Sequence, residues 1–95
     1  MIIRTYSLEF HDDEAKVSIA RDAEILSVGM RRDFALGKFH EVPFIVVKED
    51  ESKEREELCI RRIPTTEPVE VKTWQFYLGV INLDNNTSAY NLIAE

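Results

Sequence analysis

The 95-residue chain reads as an all-β domain: a small antiparallel sandwich or partly open barrel of about six or seven strands. Three observations predict it. Apolar residues recur at period 2 in one short stretch after another. No stretch carries the i, i+3, i+4, i+7 apolar series with a cap that marks a helix. Gly, Pro, Asn and Asp punctuate the chain between the alternating runs.

Residues 1–10 predict a first strand, with Ile2, Tyr6, Leu8 and Phe10 on one face and Arg4 interrupting it. His11-Asp12-Asp13-Glu14 is a polar turn, and Lys16-Val17-Ser18-Ile19-Ala20 returns with Val17 and Ile19 inward, so the two are expected to form a hairpin. Arg21-Asp22-Ala23 leads into a third strand over residues 24–30, where Leu26, Val28 and Met30 share a face. A lone glycine inside such a pattern marks a bulge or a close backbone approach, and Gly29 is given one of those roles. Arg31 and Arg32 then fall at that strand's end.

Residues 31–42 have no clean period: a long ordered loop or a distorted strand pair both fit. Segments of this kind in compact domains are often binding or interface surfaces. Pro43-Phe44-Ile45-Val46-Val47 is apolar on both faces and predicts a central, doubly covered strand opening at the proline. A mixed-charge connection with excess acid follows, and Leu58-Cys59-Ile60-Arg61-Arg62-Ile63 is expected to pair back across it, making a hairpin with a solvated acidic tip over residues 49–57. Pro64-Thr65-Thr66-Glu67-Pro68 is a loop, and Val69-Glu70-Val71-Lys72 is expected to pair briefly.

The final stretch, residues 74–95, is expected to organise the rest. Trp74, Phe76, Leu78 and Val80 fall at period 2, with Gln75, Tyr77 and Ile81 on the other face. The Asp84-Asn85-Asn86 turn tolerates the left-handed conformation of a tight reversal, and residues 88–94 return.

A chain of this length makes one domain, residues 1–95, and hides only about 60–65% of its unfolded surface, which favours self-association into a homo-oligomer. At 44% apolar and 32% charged it is ordinary for a globular protein. No apolar run approaches a membrane span, and the first residues run directly into a strand pattern without a signal peptide, so a soluble, cytoplasmic protein is expected. The net charge of −6 opposes binding to long nucleic acid, where phosphate neutralisation dominates affinity. It leaves room for a small anionic ligand held by a local cluster of donors.

Chemistry is sparse. Cys59 is the single cysteine and is expected to be a small buried thiol. With His11 and His40 far apart, no metal site is predicted; Gly29, Gly37 and Gly79 are isolated and make no phosphate-cradling loop. No nucleophile stands beside a recognisable base, so the expectation is a non-enzyme without a cofactor. Adjacent strand residues point to opposite faces, so one member at most of Arg31-Arg32 and of Arg61-Arg62 addresses a given pocket. The plain reading of these pairs is charge balance against the acidic tip. The sharper reading is that such an arginine, with Thr65, Thr66, Lys72 and an aromatic such as Trp74 or Tyr77, grips a phosphate and stacks a base. For Trp74, core packing is favoured over stacking.

Two stretches carry a resemblance: Arg21-Asp22-Ala23-Glu24-Ile25-Leu26-Ser27-Val28, and Phe76-Tyr77-Leu78-Gly79-Val80-Ile81 running through a polar turn to Tyr90-Asn91-Leu92-Ile93-Ala94-Glu95. Together with the order of apolar strand, acidic turn and arginine-bearing strand between Phe44 and Ile63, they resemble a family of small phage and prophage proteins of unknown function. The loop at Thr65 and Thr66 differs from theirs and residues 31–42 are longer, so no site residue follows from it. The resemblance implies a viral accessory protein that acts by binding. The expected function is sequestration, without cleavage, of a small anionic nucleotide-type immune signal, with Arg31, Arg32, Arg61, Arg62 and Lys72 as phosphate contacts. The alternatives are an inhibitor of a host defence protein acting through the acidic tip, and a minor virion or assembly component using its strand edges.

Overall fold

The computed structural model describes residues 1–84 and 87–95. Seven strands follow one another: β1 (Ile2–Ser7), β2 (Glu14–Ala20), β3 (Glu24–Ala35), β4 (Lys38–Glu49), β5 (Arg55–Pro64), β6 (Phe76–Leu83) and β7 (Ser88–Ala94). All pairings are antiparallel, in a three-stranded sheet ordered β1-β4-β3 and a four-stranded sheet ordered β2-β5-β7-β6. The arrangement is an open sandwich and not a closed barrel. Among the described residues there is no helix, and hence none long and apolar enough to cross a membrane.

The core is built by parity. Ala15, Val17 and Ile19 of β2, Ile45 and Val47 of β4, Ile60 of β5, Ile81 of β6, and Leu92 and Ala94 of β7 are buried together with Leu8. In β2 and β4 these are the inward members of alternating runs, so burial of one face fixes the register, whereas Leu8 lies beyond β1 and β7 buries Leu92, Ile93 and Ala94 in succession.

The first predicted hairpin does not form. Asp12 and Asp13 do make a tight turn, with φ of 52° and 65°, but it closes only a His11–Glu14 bridge. Residues 8–13 instead carry the chain from one sheet to the other, with Leu8 buried and Phe10 packed on the core. β1 pairs with β4 in the register Ile2↔Glu49 to Ser7↔Phe44, and β2 pairs with β5 from Glu14↔Arg61 to Ala20↔Arg55. β4 and β5 likewise belong to different sheets, so the second predicted hairpin is also corrected. Alternation specifies which face of a strand is buried but is silent on which neighbour covers its edge, and both errors come from pairing sequence neighbours.

Of the two readings of residues 31–42, the strand pair is the one that forms. β3 runs on to Ala35 and β4 starts at Lys38, joined through Leu36 and Gly37, whose positive φ values of 52° and 75° suit a two-residue hairpin loop. Arg31 and Arg32 are therefore within β3. The bulge in β3 falls between Ile25 and Ser27, while Gly29 is the close approach: a Cβ there would lie 2.6 Å from Phe44 Cζ. Pro43 is inside β4, not at its start. Its carbonyl accepts the Leu8 N–H at 2.8 Å, just past the end of β1, where a missing donor leaves no gap in the ladder.

The last hairpin forms as β6 and β7, but its predicted apolar face is broken. β6 begins at Phe76, and a bulge between Tyr77 and Gly79, with Gly79 at φ 136°, reverses the alternation. Ile81 is therefore buried and Val80 exposed, while Phe76, the first residue of β6 and ahead of the bulge, is 68% exposed at the strand's end. Val69, Glu70, Val71 and Lys72 lie outside every strand. Thr87 N–H closes on the Asp84 carbonyl at 3.1 Å; Asn85 and Asn86 of the predicted turn lie outside the described residues.

Candidate functional site

The predicted site residues do not form one cluster. Arg62, on β5, lies over the rings of Phe10 and Tyr90, 4.9 and 5.1 Å from their centroids, and its Nε donates to Asp13 Oδ1 at 2.9 Å. Arg61, on the opposite face, pairs with Glu14 at 3.7 Å and Glu95 at 3.9 Å. Arg31 holds Asp33 through Nε at 3.1 Å and Ser7 Oγ through Nη2 at 3.0 Å. Arg32 faces Glu41 at 3.9 Å. The opposite-face rule thus holds for both pairs, but their carboxylate partners are not the acidic tip.

The remaining members stand apart. Thr65 uses its backbone N–H to brace the Ala89 carbonyl at 3.0 Å, Thr66 is exposed in the adjoining turn, and Lys72 pairs with Glu70 at 2.9 Å. Trp74 is 66% exposed, which overturns the expectation of core packing: the strand begins two residues later, so its ring never meets the inward parity. Tyr77 donates to Asn91 Oδ1 at 2.7 Å on the four-stranded sheet.

Two predicted residues do come together in one place. A cleft of about 550 Å³ runs along Phe10, Pro43 and Arg62, and a second of about 510 Å³ runs along Arg32, Phe39 and Asp84. They share His40, Glu41 and Leu83, so the two adjoin as one grooved region where the end of β6 meets the β3–β4 hairpin. Glu41 divides it: its side chain accepts from the Asp84 backbone N–H at 2.5 Å and faces Arg32. Arg62 in one cleft, Arg32 and the ring of Phe39 in the other, and the carboxylates of Glu9, Glu41 and Asp84 make a lining able to orient a polar, partly anionic molecule. His40, Glu41 and Leu83 carried no sequence signal, because only the crossing between sheets brings them together.

The acidic tip is also corrected. Glu49 ends the inward series Pro43, Ile45, Val47 and is completely buried. Oε1 accepts from the Tyr6 hydroxyl and from Arg4 Nη1 at 3.3 Å; Oε2 accepts from the Ala20 N–H at 2.9 Å and from Arg55 Nη1 at 3.4 Å. Arg55 also donates to Tyr6 Oη at 2.7 Å and to the Ser18 carbonyl at 2.5 Å. Burial pushes the Glu49 carboxyl pKa up, but the hydrogen bonds from Tyr6 and Ala20 and the charge of Arg55 outweigh it and hold the group below its ordinary value. Strict period-2 counting from Pro43 would have found this residue. Of the other tip acids, Glu51, Glu56 and Glu57 pair with Arg4, Arg21 and Lys16. Cys59 is half-buried, its thiol pKa raised by burial and by Glu14 and Glu95.

No protein-family model matches the chain, and no curated protein or solved structure is significantly similar to it.

Proposed function

We propose that the chain is a non-catalytic binding protein of the phage accessory type, and that it holds a small anionic ligand of nucleotide class in the Arg62–Arg32 groove. The observation that supports this is the setting of Arg62, stacked on Phe10 and Tyr90 at the wall of a cleft. A guanidinium fixed between two rings and anchored through Nε to Asp13 keeps its terminal nitrogens as donors to a phosphate. The groove's volume is in the range of small-molecule sites. Arg32 serves a second phosphate, and Phe39 supplies the aromatic surface that Trp74 was expected to provide. Arg31, Arg61, Thr65, Thr66, Lys72, Trp74 and Tyr77 fall outside this set. Inhibition of a host protein through the acidic tip has less support, since Glu49 is interior and three of its companions are neutralised within the chain.

The test is a thermal-shift and calorimetric screen with mono-, di- and cyclic oligonucleotides, followed by chromatography of the recovered ligand. Binding at a hundredfold excess over Kd adds about 2.7 kcal/mol of stability. Arg62→Lys and Arg32→Gln are each expected to weaken that binding at least tenfold, with the ligand recovered intact. A screen without any shift rejects the proposal.

A further inference from the structure

The β3–β4 hairpin ends in an apolar knob. Leu36 is 98% exposed and Phe34 65%, in a position where hairpin turns ordinarily carry polar residues. Phe39 braces Phe34 edge-on at 5.1 Å between centroids, so the knob is a stiff convex shape. β3 has 12 residues and spans roughly 36–40 Å at 3.3 Å per residue or slightly more, about the longest dimension of the molecule, 38 Å. At its other end is an apolar hollow. A cleft of about 380 Å³ is bounded by Ala23, Glu24 and Ile25 on one side and Phe76, Tyr77 and Leu78 on the other, and Phe76 is 68% exposed.

We propose that copies of this chain associate head to tail, the Leu36–Phe34 knob of one seating in the Ile25–Phe76 cleft of the next. Three features select a second copy as the occupant. Knob and hollow are both apolar, and association buries side chains that the isolated chain leaves in water. Lys38, beside the knob, and Glu24, the one charged residue of the hollow, are of opposite sign, and neither has an ionic partner among the described residues. A bilayer, the other natural home for an apolar hairpin tip, is disfavoured by the net charge of −6, which repels anionic lipid surfaces. Knob and hollow lie at opposite ends of one strand, so the interface is heterologous: each copy uses two different surfaces, and the product is a ring or an open filament. The knob shares Phe39 with the proposed ligand groove, but neither Leu36 nor Phe76 lines that groove, so their variants separate the two proposals.

Sedimentation velocity over a concentration series tests it. Wild type is expected to grow beyond the monomer with concentration. Leu36→Asp and Phe76→Asp, both at exposed positions, are each expected to be monomeric with unchanged circular dichroism. An equimolar mixture of the two variants retains one intact knob and one intact hollow, so it is expected to give a species of two chains and nothing larger. A wild type that stays monomeric at millimolar concentration overturns the proposal, as does a mixture that fails to pair or a Leu36→Asp variant that assembles normally. Wild-type monomers that bind phosphatidylserine vesicles, with Leu36→Asp abolishing the binding, would assign the knob to a membrane and equally overturn it.

Discussion

Glu49 Oε2 accepts the backbone N–H of Ala20 at 2.9 Å, and this bond joins the end of β4 in one sheet to the end of β2 in the other. The Glu49 carboxylate, Tyr6 and the arginines at positions 4 and 55 surround it, so charge and hydrogen bonds close one end of the sandwich where the apolar core stops. Removing the acceptor leaves Ala20 N–H and Tyr6 Oη without their partner and two arginines facing each other. Glu49→Ala is expected to destabilise by about 2–3 kcal/mol, below the full range for buried pairs because both arginines are partly solvated. Glu49→Gln keeps the acceptor and is expected to lose about half as much. Urea midpoints measure both.

The same group sets an acid limit. A carboxylate held below its ordinary value of 4.5 contributes stability that is fully present above that value and is lost as pH falls through the folded-state pKa. Stability is expected to decline progressively below pH 4.5, and Glu49→Gln is expected to decline less steeply. Urea melts at successive pH values check the slope; parallel slopes would reject the assignment.

Gly29 is held against Phe44. Because a Cβ would fall 2.6 Å from Phe44 Cζ, Gly29→Ala forces the ring aside and is expected to cost about 1–3 kcal/mol. In a Phe44→Leu background the penalty shrinks, and a double-mutant cycle reads the coupling.

Gly79 acts through its backbone. At φ 136°, with Val28 Cγ2 3.1 Å from a Cβ position, Gly79→Ala is strained both locally and across to β3. A loss of about 1–3 kcal/mol is expected, measured by thermal unfolding. Relief by Val28→Ala would remain partial, because the dihedral strain persists.

Cys59 is expected to react slowly with a disulfide reagent at neutral pH, since burial and the Glu14 and Glu95 charges raise its pKa and the thiolate is the nucleophile. Labelling should accelerate by at least tenfold in denaturant. Equal rates in both conditions would contradict the half-buried setting.

What the residues revealed and what they concealed divides along one physical line. Period-2 alternation correctly assigned Val17 and Ile19 to the interior, because burial of a face is a property of the strand itself; β4, expected to be covered on both faces, instead buries Ile45 and Val47 and leaves Phe44 and Val46 half-buried. Pairing is not such a property: β1 with β4 and β2 with β5 are choices among edges that look alike in sequence. Bulges are invisible to counting as well, and the one beside Gly79 turned Val80 outward; Trp74 lies before β6 begins and Phe76 is its first residue, so neither reaches the core. The candidate groove was legible only as two arginines of the predicted nine residues. Arg32 and Arg62 belong to different sheets, and nothing local announces that Leu83 and Glu41 will lie between them.

The separation of β1 from its partner also has a temporal consequence. Only the β3–β4 and β6–β7 pairs close between sequence neighbours, whereas Ile2 must wait for Glu49 and Glu14 for Arg61. On the ribosome, the first two strands therefore emerge with alternating apolar faces and nothing to pair with until roughly half the chain has been made. Refolding should accordingly proceed from the two hairpins in milliseconds to seconds, the slow range of non-local β topologies. Nascent-chain solubility is then most exposed to changes at Val17 and Ile19, apolar side chains that stay in water until the sandwich closes over them as part of its core.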